Sequence, residues 1–284
     1  MRFCRAQSLE GALALLGEWG ADGCLLAGGT DVMVQYRRGE IAPGALIHIE
    51  GIDGLSAIST NGRTAVGALA THARLAADAD IARRHPAVAS AAGLVGGWQT
   101  QAVGTVGGNI CNASPAADLA PPLLVADAHL TLASASGERR LPLDQFLIDR
   151  RVTARRPEEL LTAIDLDPLP PGSAEIYLKV GRRGAMDVAI VGLALRLGLR
   201  DDGTIHSARL AVCSVAARPR RVPEAEAALL GARLEAEALA AAGQALVAAA
   251  SPIDDGRATA SYRLRLLPGL LARAAMRCGE AVRR

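Results

Sequence analysis

Two short segments carry adjacent glycines between an apolar, strand-like run and the start of a helix. They are Leu25-Leu26-Ala27-Gly28-Gly29-Thr30-Asp31-Val32 and Gly104-Thr105-Val106-Gly107-Gly108-Asn109-Ile110. Glycines at such a turn let backbone N–H groups converge on an anion with no Cβ in the way. Thr30, Thr105 and Asn109 add side-chain groups beside them. One Gly-Gly turn alone is an ordinary strand–helix connection. Two in one domain are enough to clamp a diphosphate from both sides. The second segment runs on through Cys111, Asn112, Ala113, Ser114, Pro115, Ala116, Ala117 and Asp118, a small and polar stretch. Such a stretch buries itself poorly, which points to a ligand filling the space beside it.

A third constellation is Tyr177-Leu178-Lys179, followed by Arg182-Arg183 and Asp187. On a strand, Tyr177 and Lys179 face the same side. Lys179 is the only lysine among 31 basic residues. A compact ammonium there suits electron-rich atoms of a cofactor ring, whereas the plainer reading is a solvated strand end.

Other chemistries lack their residues. Gly28-Gly29 does not extend to G-x-G-x-x-G, no glycine precedes Lys-Ser or Lys-Thr, and no nucleophile elbow is present. The five histidines (48, 72, 85, 129 and 206) show no metal-ligand spacing, and His48 and His129, inside strand-like runs, read as structural. The five cysteines (4, 24, 111, 213 and 278) are scattered, as reduced thiols of a cytosolic protein are. They lack the close pairs of an iron–sulfur site, so any cluster comes from another chain.

The elements that must position these residues follow from periodicity and turn chemistry. The 284 residues suit two domains, with half of the residues hydrophobic and a net charge of +2. That charge argues against nucleic acid, and no run is apolar enough for a membrane span or a signal peptide. Ser8 caps a helix with Leu9, Ala12, Leu13 and Leu16 on one side, and Cys24–Ala27 is a strand. Strands over Leu46–Ile49 and Ala65–Leu69 precede helices over His72–Ala77, capped by Thr71, and Ala87–Val95. The second glycine segment is read as a loop, followed by a short helix at Leu123–Asp127 and a strand at His129–Ala133. Asp167–Gly172, with three prolines, is the linker. Beyond it come strands over Ile176–Val180, Val188–Leu199 and Ile205–Val215, then helices over Pro223–Leu230, Leu234–Ala250 and Ala260–Cys278.

In this order the three constellations resemble the FAD-binding medium subunit of the molybdenum hydroxylases, the family of the carbon monoxide dehydrogenase flavoprotein and the xanthine dehydrogenase FAD domain. The likeness rests on Ala27–Asp31, Thr105–Asn109 with Ala113–Asp118, and Lys179 through Arg183 to Asp187, and it spans the chain. It implies an α+β fold: a two-lobed FAD-binding domain of the vanillyl-alcohol-oxidase type over residues 1–172 (lobes about 1–55 and 56–172), then a small α+β C-terminal domain over 173–284. It also implies that Leu25–Val32 and Thr105, Gly107, Gly108 and Asn109 hold the FAD diphosphate. Asp118 and Leu161 would lie against other parts of FAD, and Lys179, with Tyr177, near the isoalloxazine. Val95 falls where relatives place an aromatic against the flavin, and Trp98 is close but shifted.

The resemblance further implies a cytoplasmic electron-transfer subunit. Its partners would be a small subunit with [2Fe–2S] clusters and a large subunit with molybdopterin, assembled as a dimer of heterotrimers. Two other readings stand beside it: a self-contained flavin oxidoreductase of the same fold, and a non-catalytic FAD- or nucleotide-binding assembly module.

Overall fold

The structure, a computed structural model, describes residues 1–184 and 186–283. Its first lobe is a three-stranded parallel sheet in the order β1-β3-β2, built from β1 (Arg2–Arg5), α1 (Leu9–Trp19), β2 (Gly23–Leu26), α2 (Val32–Arg37) and β3 (Ala45–His48). Ser8 caps α1 by accepting the Gly11 N–H at 3.1 Å. The apolar stripe Ala12, Leu13 and Leu16 then packs on Ile47 of the central strand. The carboxyl end of β2 delivers the chain into Gly28–Gly29, where open α/β sheets present their ligand crevice.

The second lobe is a five-stranded antiparallel sheet, β4-β5-β10-β6-β7. It comprises β4 (Ile58–Ser59), β5 (Thr64–Gly67), β6 (His129–Ser134), β7 (Gly137–Pro142) and β10 (Leu160–Leu166), with the small hairpin β8 (Leu147–Asp149) and β9 (Val152–Thr153) before the last. Five short helices follow β5: α3 (His72–Ala77), α4 (Ala79–Arg84), α5 (Pro86–Ala92), α6 (Trp98–Val103) and α7 (Val106–Cys111). Then come α8 (Ala120–Val125) and, after β7, the one-turn α9 (Leu143–Phe146).

Three expectations change here. The stretch Gly104–Asn109 is not a loop: Thr105 caps α7, and Gly107 and Gly108 lie in its first turn. The helix expected at Leu123–Asp127 starts at Ala120, because Pro121 and Pro122 occupy a first turn that needs no N–H from them. The stretch Cys111–Asp118, expected to bury itself poorly, and the residues after it are partly buried by the protein itself. Ala113, Ala117, Leu119 and Ala120 are buried in the main core, since small side chains fit among close-packed helices.

The remaining chain forms an antiparallel sheet, β11 (Ser173–Val180), β12 (Val191–Leu199), β13 (Ile205–Cys213) and β14 (Arg220–Arg221), followed by α10 (Pro223–Leu229), α11 (Ala236–Ala249) and α12 (Ala260–Val282). Both faces of this sheet are covered, which is why β12 is a nearly unbroken apolar run. One face (Leu178, Leu193, Leu195, Leu210) meets Leu267, Leu271 and Ala275 of α12. The other (Tyr177, Ala194, Ala211) joins the core of the second lobe. A buried ion pair ties the same seam: Arg196 donates to Glu175 at 2.8 and 2.6 Å, and Glu175 also accepts the N–H of Ala87 at 3.3 Å. No described helix is long and apolar enough to cross a membrane.

Candidate functional site

Between the two lobes lies a cleft of about 590 Å³. From the first lobe it takes Leu25, Ala27, Gly28, Gly29, Thr30, Asp31 and Val32. From the second it takes Thr105, Gly107, Gly108, Asn109 and Leu161. These are twelve of the residues expected from sequence, in one place. Leu26 is not among them. Strand alternation turns its side chain into the protein, where it is buried. Asp118, Tyr177 and Lys179 also lie away from the cleft lining.

The glycines bring the two segments side by side. A Cβ on Gly28 would overlap the carbonyl of Val103, so only glycine lets the first segment press against the chain entering α7. Gly107 is pressed in the same way, its ideal Cβ 2.7 Å from the Ala68 carbonyl oxygen. Gly29 is needed for conformation instead, with φ of +69°.

The two segments differ in what they leave available. The N–H groups of Gly28, Gly29, Thr30 and Asp31 donate to no acceptor among the described residues, and the Thr30 hydroxyl has no partner there either. In the second segment the N–H groups of Val106 to Asn109 are taken. Val106 donates to Ala70 at 2.9 Å, Gly107 to Ala68 at 2.8 Å, and Asn109 to the Thr105 carbonyl at 3.0 Å. Gly108 donates to the Thr105 hydroxyl at 3.1 Å. What this segment offers is a close-packed wall and one orphan, the buried Oδ1 of Asn109, which has no partner. Four free amides at a strand end and an unpartnered amide side chain lining the same cleft suit the diphosphate and hydroxyl groups of a dinucleotide cofactor.

Cys111, Asn112 and Val95, which the sequence reading set beside a ligand or the flavin, line the cleft, and that reading missed several other lining residues. His72 is buried beside Gly104, and burial pushes its pKa down to about 4, so the ring is neutral. Its backbone donates to the Gly104 carbonyl at 3.0 Å, a long-range contact with no local signal. Gln35 and Asn112 line the cleft and bond to each other at 2.8 Å. Cys24, Cys111, Thr100, Arg151 and Arg155 complete much of the rest. Val95 lines the cleft, whereas Trp98 does not and is 87% exposed.

Tyr177, Lys179 and Asp118 form their own cluster. The Tyr177 hydroxyl donates to Asp118 Oδ1 at 2.6 Å, and Lys179 Nζ donates to Asp118 Oδ2 at 2.8 Å and to the Leu94 carbonyl at 2.9 Å. Lys179 is therefore not a solvated strand end: its side chain is 8% exposed. Burial raises the Asp118 pKa, against the opposing pull of the Lys179 ammonium. The Tyr177 hydroxyl is held well above its ordinary value, first by burial. Lys179 also borders a second cavity of about 470 Å³ with Gly96, Gly97, Trp98 and Asp187. Asp187 accepts the backbone N–H groups of Arg182 and Arg183, closing the turn after β11.

The two-lobed fold and its cleft suit a dinucleotide-type ligand, and comparison with known proteins gives the family. Residues 1–169 match the FAD binding domain in molybdopterin dehydrogenase, and residues 176–278 the CO dehydrogenase flavoprotein C-terminal domain. The chain is 32% identical to the alpha subunit of the 6-hydroxypseudooxynicotine dehydrogenase complex of Paenarthrobacter nicotinovorans, over 94% of this chain and 90% of that one. It is 32% identical to the xanthine dehydrogenase FAD-binding subunit of Escherichia coli O157:H7, over 93% and 90%. A solved carbon monoxide dehydrogenase structure from Hydrogenophaga pseudoflava superposes with a TM-score of 0.94 at 30% identity, covering 99% of this chain and 98% of the other. The chain belongs to the FAD-binding medium subunits of the molybdenum hydroxylases. It is an oxidoreductase subunit whose cofactor is FAD.

Proposed function

We propose that this chain relays electrons within a molybdenum hydroxylase complex, holding FAD in the interlobe cleft. In this reading a small partner subunit with [2Fe–2S] clusters delivers electrons one at a time, and a large partner subunit with molybdopterin oxidises the organic substrate. Bound FAD supplies two-electron storage and transfer to an external acceptor. Support comes from the family membership and from one observation above all: Gly28–Asp31, whose amides have no protein acceptor, and Asn109, whose Oδ1 is unpartnered, line the same cleft.

This chain's own residues bind and orient. The first segment grips the diphosphate through backbone N–H groups and the Thr30 hydroxyl. The second segment, rigid because its donors are already bonded, fixes the opposite wall. Leu161 and Val95 give apolar contact. The neutral His72 places no positive charge in the wall. Asp118, Tyr177 and Lys179 close the region where the C-terminal sheet meets the second lobe, and Lys179 anchors the Leu94 carbonyl one residue before Val95. The proposed assembly is a dimer of heterotrimers, and the proposed location is the cytoplasm.

The visible spectrum of the purified full chain tests the binding half of this reading, and mixing with its partners tests the relay. A flavin spectrum is expected, with no turnover of small organic substrates by the chain alone. Bleaching of that spectrum by substrate is expected only when both partner subunits are present. A colourless chain that takes up no added FAD would contradict it. Substrate turnover by the single chain would favour a self-contained flavin enzyme.

A further inference from the structure

The cleft has a third wall, and it is cationic. The β8–β9 hairpin and the turn after it bring Arg151 and Arg155 to the lining. Arg151 is exposed and lies 3.8 Å from Glu40, a surface pair. Arg155 is half-buried and differently held. Its Nη1 donates to the carbonyls of Arg156, Pro157 and Glu159 at 3.0, 3.2 and 2.8 Å. Those three bonds fix the guanidinium, while its Nε and Nη2 donate to nothing among the described residues. No carboxylate among the described residues forms an ion pair with it. Its charge acts on the cleft interior. Burial raises the thiols of Cys24 on β2 and Cys111 at the end of α7, and in both cases Arg155 opposes that rise. Both cysteines line the same cleft as Arg155.

Neither glycine segment carries a cation: Leu25–Val32 contains only Asp31, and Gly104–Ile110 no charge at all. A diphosphate brings two negative charges into this partly desolvated space. Peptide N–H groups orient it by their dipoles but do not neutralise it. A pre-positioned guanidinium with two unused donor positions offsets one of those charges, and its fork matches phosphate oxygens. We propose that Arg155 is the counter-charge for the FAD diphosphate, forming a cationic third wall to the grip of Gly28–Asp31. This rests on the reading that the interlobe cleft holds FAD.

The test is FAD binding to the full chain, stripped of flavin, at low and high ionic strength. For the unmodified chain, affinity should fall as salt rises. Arg155→Gln should bind FAD about 10- to 100-fold more weakly at low salt and lose most of that salt dependence. Arg155→Lys keeps the charge but not the fork, and should keep the salt dependence with a smaller loss. If Arg155→Gln does not fold, as judged by its melting curve without flavin, Arg155→Lys decides: a retained salt dependence supports the proposal and a lost one overturns it. An Arg155→Gln chain with unchanged affinity and unchanged salt dependence overturns it while leaving the cleft reading intact. Failure of the unmodified chain to take up FAD overturns both.

Discussion

The two glycine segments share a motif in sequence but not in physical state. In Ala27–Val32 the backbone donors are free and the Thr30 hydroxyl is unpartnered. In Thr105–Asn109 the N–H groups of Val106, Gly107, Gly108 and Asn109 all have protein acceptors, and the Thr105 hydroxyl is used as a helix cap. In the proposed reading the first segment receives the ligand and the second stays put. Glycine is required in both, and at Gly28 and Gly107 the requirement comes from neighbouring backbone, not from an anion. Glycine pairs therefore locate a cleft without saying which pair does the gripping. The Asp118–Tyr177–Lys179 cluster belongs with the second segment: its polar groups are satisfied by protein.

The largest expected effect comes from breaking the seam that sets the segments side by side. Gly28→Ala drives a methyl into the Val103 carbonyl, which cannot move without shifting α6 and α7. A loss on the order of 4 kcal/mol or more is expected, read by urea or thermal unfolding, together with loss of FAD. Gly108→Ala meets chiefly the Thr105 hydroxyl, at 2.9 Å, and should cost less. Equal effects at the two positions would dissolve the distinction at the seam.

Next comes the satisfied cluster. Lys179→Met leaves the Asp118 carboxylate buried without its cation, and a destabilisation of about 3 kcal/mol at neutral pH is expected. Asp118 already has a raised pKa in the folded chain, so the folded state holds that proton more tightly than the unfolded one. Stability from the protonated form is present at low pH and lost as pH rises through the folded pKa. The variant should therefore recover stability on acidification, and Asp118→Asn added to it should restore stability at neutral pH. A pH-independent loss would mean that Lys179 acts by packing alone.

How much of this was legible beforehand divides along the same line. Local patterns revealed the Ser8 and Thr71 caps, the strand into Gly28, and the order of strands and helices after the linker. Long-range pairing was not legible. The reading of Gly104–Asn109 as a loop failed because glycines lower helix propensity, whereas tertiary bonds to Ala68 and Ala70 hold the turn. The strand β7, GERRLP, carries too much charge to be read as a strand and is an edge, paired only with β6. Arg155 was invisible among 30 arginines, and Cys111–Asp118 read as poorly buried because alanine burial leaves no strong periodic signal. Lys179 drew notice for its rarity, but its carboxylate partner is 61 residues away.

A smaller pair of substitutions separates the roles of two threonines. Thr30→Val removes a hydroxyl with no protein partner, so stability should hold while FAD affinity falls about 10-fold. Thr105→Val removes the cap on α7 and should cost about 1 kcal/mol of stability with a lesser effect on affinity. The reverse pattern in calorimetry and flavin titration would interchange the two segments.

The most direct measurement is backbone amide hydrogen exchange of the full chain with and without FAD. Without FAD, the amides of Val106–Asn109 should already be protected and those of Gly28–Asp31 should exchange quickly. On adding FAD, new protection should concentrate on Gly28–Asp31. Protection gained equally by both segments, or by Val106–Asn109 alone, would contradict the assignment of the grip to the first.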